Sequence, residues 1–235
     1  MWQAFSEIEQ NISSVHSLSE LFQLWQQAHE VDPNWELTFP KGRETGVVEG
    51  FKSSFCIDGV SSLDGMYNGG EKAEVLFVLK ESNIGQDELS KDGTIHPFWF
   101  NEQPAHSTRI KYAKNFIAVL DRYNPQWESS VPIGYMNLNK RGGAGYTEAK
   151  RLASYVKQYQ NFILKEIELI SPRTIFLCGC EDAFRSLCDN SNVQTAESHK
   201  EMVATSNIKS RVYSIYHPSY PRFNDCINKV PILTV

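Results

Sequence analysis

No stretch of the 235 residues approaches the roughly 18 consecutive apolar side chains that cross a bilayer, and the chain opens without a basic segment followed by a long apolar core. Neither a membrane span nor an export signal is expected, so the protein is placed in the cytoplasm. Cysteine is sparse and odd in number: Cys56, Cys178, Cys180, Cys188 and Cys226 are too scattered for a disulfide framework and are expected to be reduced. His96, His106 and His199 lack ligand-like spacing, so no metal is expected. Neither Gly-x-x-x-x-Gly-Lys-Ser/Thr nor Gly-x-Gly-x-x-Gly occurs, which argues against a nucleotide-binding enzyme. Internal repeats and low-complexity segments are also missing.

What is present suffices for one sizeable core, since 41% of the side chains are hydrophobic. The net charge of −5 opposes nucleic-acid binding only on average. Residues 1–50 hold eight acidic and two basic side chains, a balance of −6, so the remaining 185 carry +1. Between 137 and 157, Lys140, Arg141, Lys150, Arg151 and Lys157 face Glu148 alone. Such a stretch is either a solvated helix face or a phosphate contact.

Helical spacing is expected near 3–14 and 18–30, the second with Leu18, Leu21, Phe22, Trp25 and Ala28 as its stripe. Pro33, Pro40 and seven glycines between 42 and 70 then break the chain, making either a lid or a cover over a sheet edge. Ser107 can cap a helix bearing Ile110, Phe116, Ile117 and Leu120. Thr147 can cap a long one whose stripe runs from Leu152 to Ile170, with Pro172 ending it. Strands at 75–79, 131–138, 174–178 and 211–216, with a helix at 181–189, complete an alternation that means a mostly parallel sheet covered on both faces. The fold class is therefore three-layer α/β/α on a four-stranded sheet. Residues 1–65 are expected to form a helical and loop elaboration packed on a catalytic domain at 66–235.

Two strand ends carry the chemistry. Val75-Leu76-Phe77-Val78-Leu79 runs into Lys80-Glu81-Ser82-Asn83, and the strand ending at Ile215 runs into Tyr216-His217-Pro218-Ser219-Tyr220. A carboxylate after one parallel strand and a histidine after another is the layout of an α/β active site. Together with Gly134-Tyr135-Met136-Asn137-Leu138-Asn139-Lys140 and Pro172-Arg173-Thr174-Ile175-Phe176-Leu177-Cys178-Gly179, these segments resemble, in order and spacing over roughly residues 70–225, the uracil-DNA glycosylase superfamily.

The resemblance implies a monofunctional DNA glycosylase that flips a pyrimidine, hydrolyses its N-glycosidic bond without a cofactor and acts as a monomer on DNA. Glu81 would orient or deprotonate the water and sit beneath the positive sugar, and His217 would donate to the base oxygen. Asn137 would read the base, whose uracil and cytosine edges its amide suits equally, or simply cap a strand end. Phe98 is the first choice for an aromatic platform within Phe98-Trp99-Phe100, a run equally at home in a core. Ser82, Ser219, Tyr220, Arg222, Lys140 and Arg141 would contact DNA, with Tyr220 and Arg222 in the loop that wedges into the duplex. Gly142 to Gly145 is either a phosphate cradle or a plain turn.

Two departures from the family matter. Glutamate at 81 stands where relatives have Asp, Asn or Ala, and Asn83 stands where some uracil-specific relatives place a tyrosine that rejects C5 substituents. The expected substrates are therefore uracil or a C5-modified pyrimidine such as a glycosylated hydroxymethylcytosine of phage DNA, in repair or in defence. Lys80 is expected on the opposite strand face from Glu81, which disfavours a lyase. Only Cys56 precedes the first motif, against the two cysteines of iron–sulfur relatives, and Cys178 and Cys180 are expected to share one face of a buried strand. A different class of reading is a catalytically silent member that binds DNA or protein through the same fold.

Overall fold

In the computed structural model, residues 2–38, 52–62, 68–83, 95–96, 107–143, 147–187, 201–203, 210–230 and 232 are described. Helices α1 (Trp2–Gln10) and α2 (Leu18–Val31) open the chain. Ser17 caps α2 by accepting the Glu20 N–H at 3.2 Å, while the Glu20 carboxylate accepts the N–H of His16, a reciprocal cap. The stripe expected on α2 is buried throughout, and Trp25 packs among Phe55, Tyr155, Tyr159 and Phe162. A short α3 (Trp35–Thr38) follows, then β1 (Phe55–Cys56), β2 (Gly59–Ser62) and β3 (Asn68–Gly70).

The four expected strands form as β4 (Val75–Asn83), β6 (Pro132–Gly143), β7 (Thr174–Cys178) and β9 (Arg211–Ile215), with β5 (Ile95–His96) and β8 (Glu201–Val203) between them. Val75 to Leu79 of β4 and Ile175 to Cys178 of β7 are apolar at every position because helices cover both sides, whereas β6 carries Asn137, Asn139, Lys140 and Arg141. The main sheet has seven strands among the described residues, in the order β3-β2-β6-β4-β7-β9-β8, where four were expected. β6, β4, β7 and β9 run parallel to one another, and β2, β3 and β8 add antiparallel edges. The boundary expected at residue 65 falls between β2 and β3, which are hydrogen-bonded neighbours. The chain before 65 thus supplies part of the sheet as well as helices packed against it.

The remaining helices are α4 (Ser107–Tyr123), α5 (Ala149–Gln158), α6 (Gln160–Ile170), α7 (Glu181–Arg185) and α8 (Asn224–Ile227). The long helix expected up to Ile170 is two helices, interrupted at Tyr159, whose φ of −104° and ψ of 20° leave the helical region. Side chains alternate across β4, so Leu76 and Val78 join the core under α1, α2, α5 and α6, while Val75, Phe77 and Leu79 join the one under α4. Phe77 stacks on Phe116 of α4 at 4.1 Å. The same pleat would have put Cys178 and Cys180 on one face, yet they enter different cores. Gly179 between them has φ +70°, and this left-handed residue turns the chain over.

Gly179 also accepts the close approach of the loop after β9, since a Cβ built on it would lie 3.5 Å from the Cβ of His217. That contact is ordinary, so Gly179→Ala is expected to cost mainly backbone strain, about 1–2 kcal/mol, measured by urea unfolding.

Candidate functional site

Connections leave β4 toward β6 and then return across it to β7, so the sheet order opens a crevice at the carboxyl ends of β4 and β7. All four parallel strands deliver groups to this edge. β6 carries Asn137, β4 carries Glu81 and Ser82, β7 leads into Gly179, and β9 leads into His217. β4 and β9 are separated by β7 alone, which puts their ends about 10 Å apart.

Glu81 is mostly buried. Burial pushes its carboxyl up to about 7, against the opposing pull of a hydrogen bond from Thr147 and the charge of Lys80. One of its carboxyl oxygens is buried without a hydrogen-bond partner. Thr147 therefore serves the carboxylate, not the helix: α5 starts at Ala149, and Glu148 stands at its N-cap without a side-chain cap bond. A carboxyl that titrates near neutrality and keeps one oxygen without a hydrogen-bond partner is suited to taking a proton from a water bound beside it.

The loop holding His217 is built by local bonds and by α4. The N–H of Ser219 donates to Nδ1 of His217 at 3.2 Å, the Ser219 hydroxyl lies 2.7 Å from the same nitrogen, and the N–H of Tyr220 closes the turn on the His217 carbonyl at 2.8 Å. An Nδ1 that accepts a backbone N–H carries no proton, so in the neutral ring the proton sits on Nε2. From α4, Asn115 donates to the Pro218 carbonyl at 2.6 Å and Tyr112 meets the His217 ring edge-on at 5.5 Å. Neither residue was singled out by sequence reasoning, although their spacing of three puts them on one helix face. Tyr216 and Tyr220 flank the loop with rings 4.9 Å apart, 44% and 45% exposed. Arg222 is exposed and paired with Asp225 at 2.6 Å.

Asn137 is buried beside Ser82. Its Nδ2 donates to Ser82 Oγ and to Asp58 Oδ1, both at 3.0 Å, and its backbone N–H donates to Asp58 Oδ2 at 2.5 Å. Ser82 is thus engaged with Asn137. Phe98 and the side chain of Asn83 lie outside the described residues, as do Ala144 and Gly145; Gly142 and Gly143 continue β6, and Gly142 gives its N–H to Ser54.

Lys140 and Arg141 require correction, because both are fully buried and cannot reach a phosphate. Lys140 pairs with Asp58 and, at 2.7 Å, with Glu166, under the rings of Trp25 and Phe22. Arg141 pairs with Asp32 at 2.9 Å, donates to Tyr159 and contacts the Lys52 carbonyl. A long cationic side chain in a core persists only when its charge is met, and residues 82 and 109 positions earlier meet these two. Asp32 comes from the acidic N-terminal part, Asp58 from just beyond it and Glu166 from α6.

A cleft of about 900 Å³ runs alongside, lined in part by Lys80, Thr147, Lys150, Gly179, Glu181 and Tyr216. It adjoins the two strand ends through Thr147 and Tyr216. Lys80 reaches toward Gly179 and Cys180 there. Among the described residues no group of three His, Cys, Asp or Glu side chains converges as a metal site, and no helix is long and apolar enough to cross a membrane. A scan against protein-family models and a search of curated proteins return no match to this chain.

Proposed function

We propose that the chain is a monofunctional DNA glycosylase that hydrolyses the N-glycosidic bond of a flipped pyrimidine, either uracil or a C5-modified base. The observation that carries the reading is Glu81, a mostly buried carboxyl with an unpartnered oxygen and a titration near 7, at the end of a strand two places along the sheet from the one that delivers His217, whose Nδ1 accepts a backbone N–H. Glu81 takes a proton from water as the water oxygen bonds to C1′ of the deoxyribose. The C1′–N bond breaks with its electron pair on the base, and the Nε2–H of His217 hydrogen-bonds the carbonyl oxygen where that negative charge gathers. The base leaves and is protonated by solvent. Tyr220 and Arg222 on the exposed loop fill the duplex behind the extruded nucleotide, and Ser219 sits at the phosphate backbone. Lys150, in the adjoining cleft, takes the phosphate role that Lys140 and Arg141 cannot.

The test is incubation with DNAs containing uracil, thymine mismatches, hydroxymethylcytosine or its glycosylated form, followed by alkali. Strand breaks that depend on alkali, lost in Glu81→Ala, support the reading. DNA binding with no breaks on any substrate favours the silent binder.

The pH dependence has a definite sign. The carboxyl must be ionised to accept a proton, so single-turnover rates are expected to climb through about pH 7 and level off above it, a limb missing from Glu81→Gln.

A further inference from the structure

Which hydrogen-bonding face Asn137 shows to a base is decided by the chain itself. Three N–H groups converge on Asp58: the backbone N–H of Asn137, its side-chain Nδ2 and the Lys140 ammonium. Three donors around one carboxyl are the surroundings of an anion, and a carboxylate has no proton to give. The amide of Asn137 must therefore turn its NH2 toward Asp58, because the opposite rotamer would set oxygen against oxygen. The second amide proton goes to Ser82. Both donors are spent. The Oδ1 atom is left buried with no partner.

An unpartnered buried acceptor calls for a donor. Pyrimidines differ at position 4, where cytosine-type bases carry an amino group and uracil or thymine types a carbonyl. We propose that Asp58 is a positioning residue that locks Asn137 as an acceptor facing position 4 of the base, so that the site selects bases with an exocyclic amino group there over their keto counterparts, whose donor on that edge lies one position away at N3. The inference rests on the glycosylase reading of the site. Asp58 never touches the base and acts only through the orientation of the neighbouring amide.

Matched pairs isolate position 4: cytosine against uracil, hydroxymethylcytosine against hydroxymethyluracil, and the glucosylated forms of the last two, each in the same DNA duplex. The wild-type chain is expected to release the amino member of whichever pair it cleaves faster, by roughly 10- to 100-fold, the range of one buried hydrogen bond left unmade. In D58N the amide at 58 keeps its oxygen on Lys140 and turns its NH2 toward residue 137. Asn137 then rotates and presents NH2 outward, so the preference is expected to level or invert. Thermal unfolding checks that D58N is folded. If it is not, Asn137→Ala provides the second arm, losing the preference while Asp58 keeps the Lys140 ammonium and the backbone N–H of residue 137.

Faster release of the keto member by the wild type overturns the proposal while leaving a glycosylase, because alkali-labile breaks still form. An unchanged amino preference in a folded D58N, or in Asn137→Ala, also overturns it. Absence of breaks from every pair removes the glycosylase reading itself and the inference with it.

Discussion

Glu81→Gln is expected, on the proposed glycosylase reading, to slow base release by about 10²–10⁴-fold, the range for a lost general base, while the protein stays folded and becomes more stable at alkaline pH. The loss of rate follows from chemistry. An amide of the same shape occupies the site but takes no proton from water and puts no negative charge beneath the sugar. The gain in stability follows from linkage. Burial raises the folded carboxyl to about 7, above its value in the unfolded chain, so the native state holds the proton more tightly and loses stability as pH rises through that window. Glutamine never ionises and escapes that loss, by on the order of 1 kcal/mol. Single-turnover cleavage and thermal melts at about pH 6 and pH 9 would show both effects. A variant as active as the parent would remove Glu81 from the chemistry, whatever its stability.

Lys140→Ala is expected to cost about 3–5 kcal/mol of stability, because it strands two buried carboxylates. Burial alone pulls the Lys140 ammonium down, but the charges of Asp58 and Glu166 outweigh it and hold it above its ordinary value. Burial conversely pushes Glu166 up to about 8 even beside the ammonium. Without the cation both carboxyls move further up, and the folded chain keeps protons that the unfolded chain has already released. The variant's deficit should therefore widen as pH rises and narrow toward pH 5. Urea unfolding across that range tests the sign. A surface phosphate contact would behave otherwise, weakening DNA binding and leaving the melt unchanged, and that result would contradict the buried ion pair. Lys150→Ala is the comparison, with its effect expected on binding alone.

Much of the parallel sheet was legible in the chain because burial on both faces writes a local signal. Val75 to Leu79 and Ile175 to Cys178 can be apolar at every position only where helices cover both sides, and their alternation with helical stripes follows from the same constraint. The placement of Glu81 and His217 just beyond two such strands was readable for that reason: in a parallel sheet, strand ends share one edge. Tyr159 marks a limit of periodicity, since a stripe at helical spacing continues through a single residue that leaves the helix. Cys178 and Cys180 mark another, because a left-handed glycine between them reverses what the pleat implies.

The amino-acid sequence by itself determined the four central strands, the alternation that makes them parallel, and the polar residues waiting at their ends, all of which depend on neighbours a few positions away; the antiparallel edges β2, β3 and β8 were not among them. Only the tertiary structure decided which charges are spent inside the protein. Lys140 and Arg141 look like surface cations within their own segment, and it is Asp58, Glu166 and Asp32, brought from other elements, that draw them into the core. The orientation of Asn137 was decided the same way, by a carboxylate 79 positions earlier in the chain. Pairing between buried charges depends on distance in space, which local spacing does not encode.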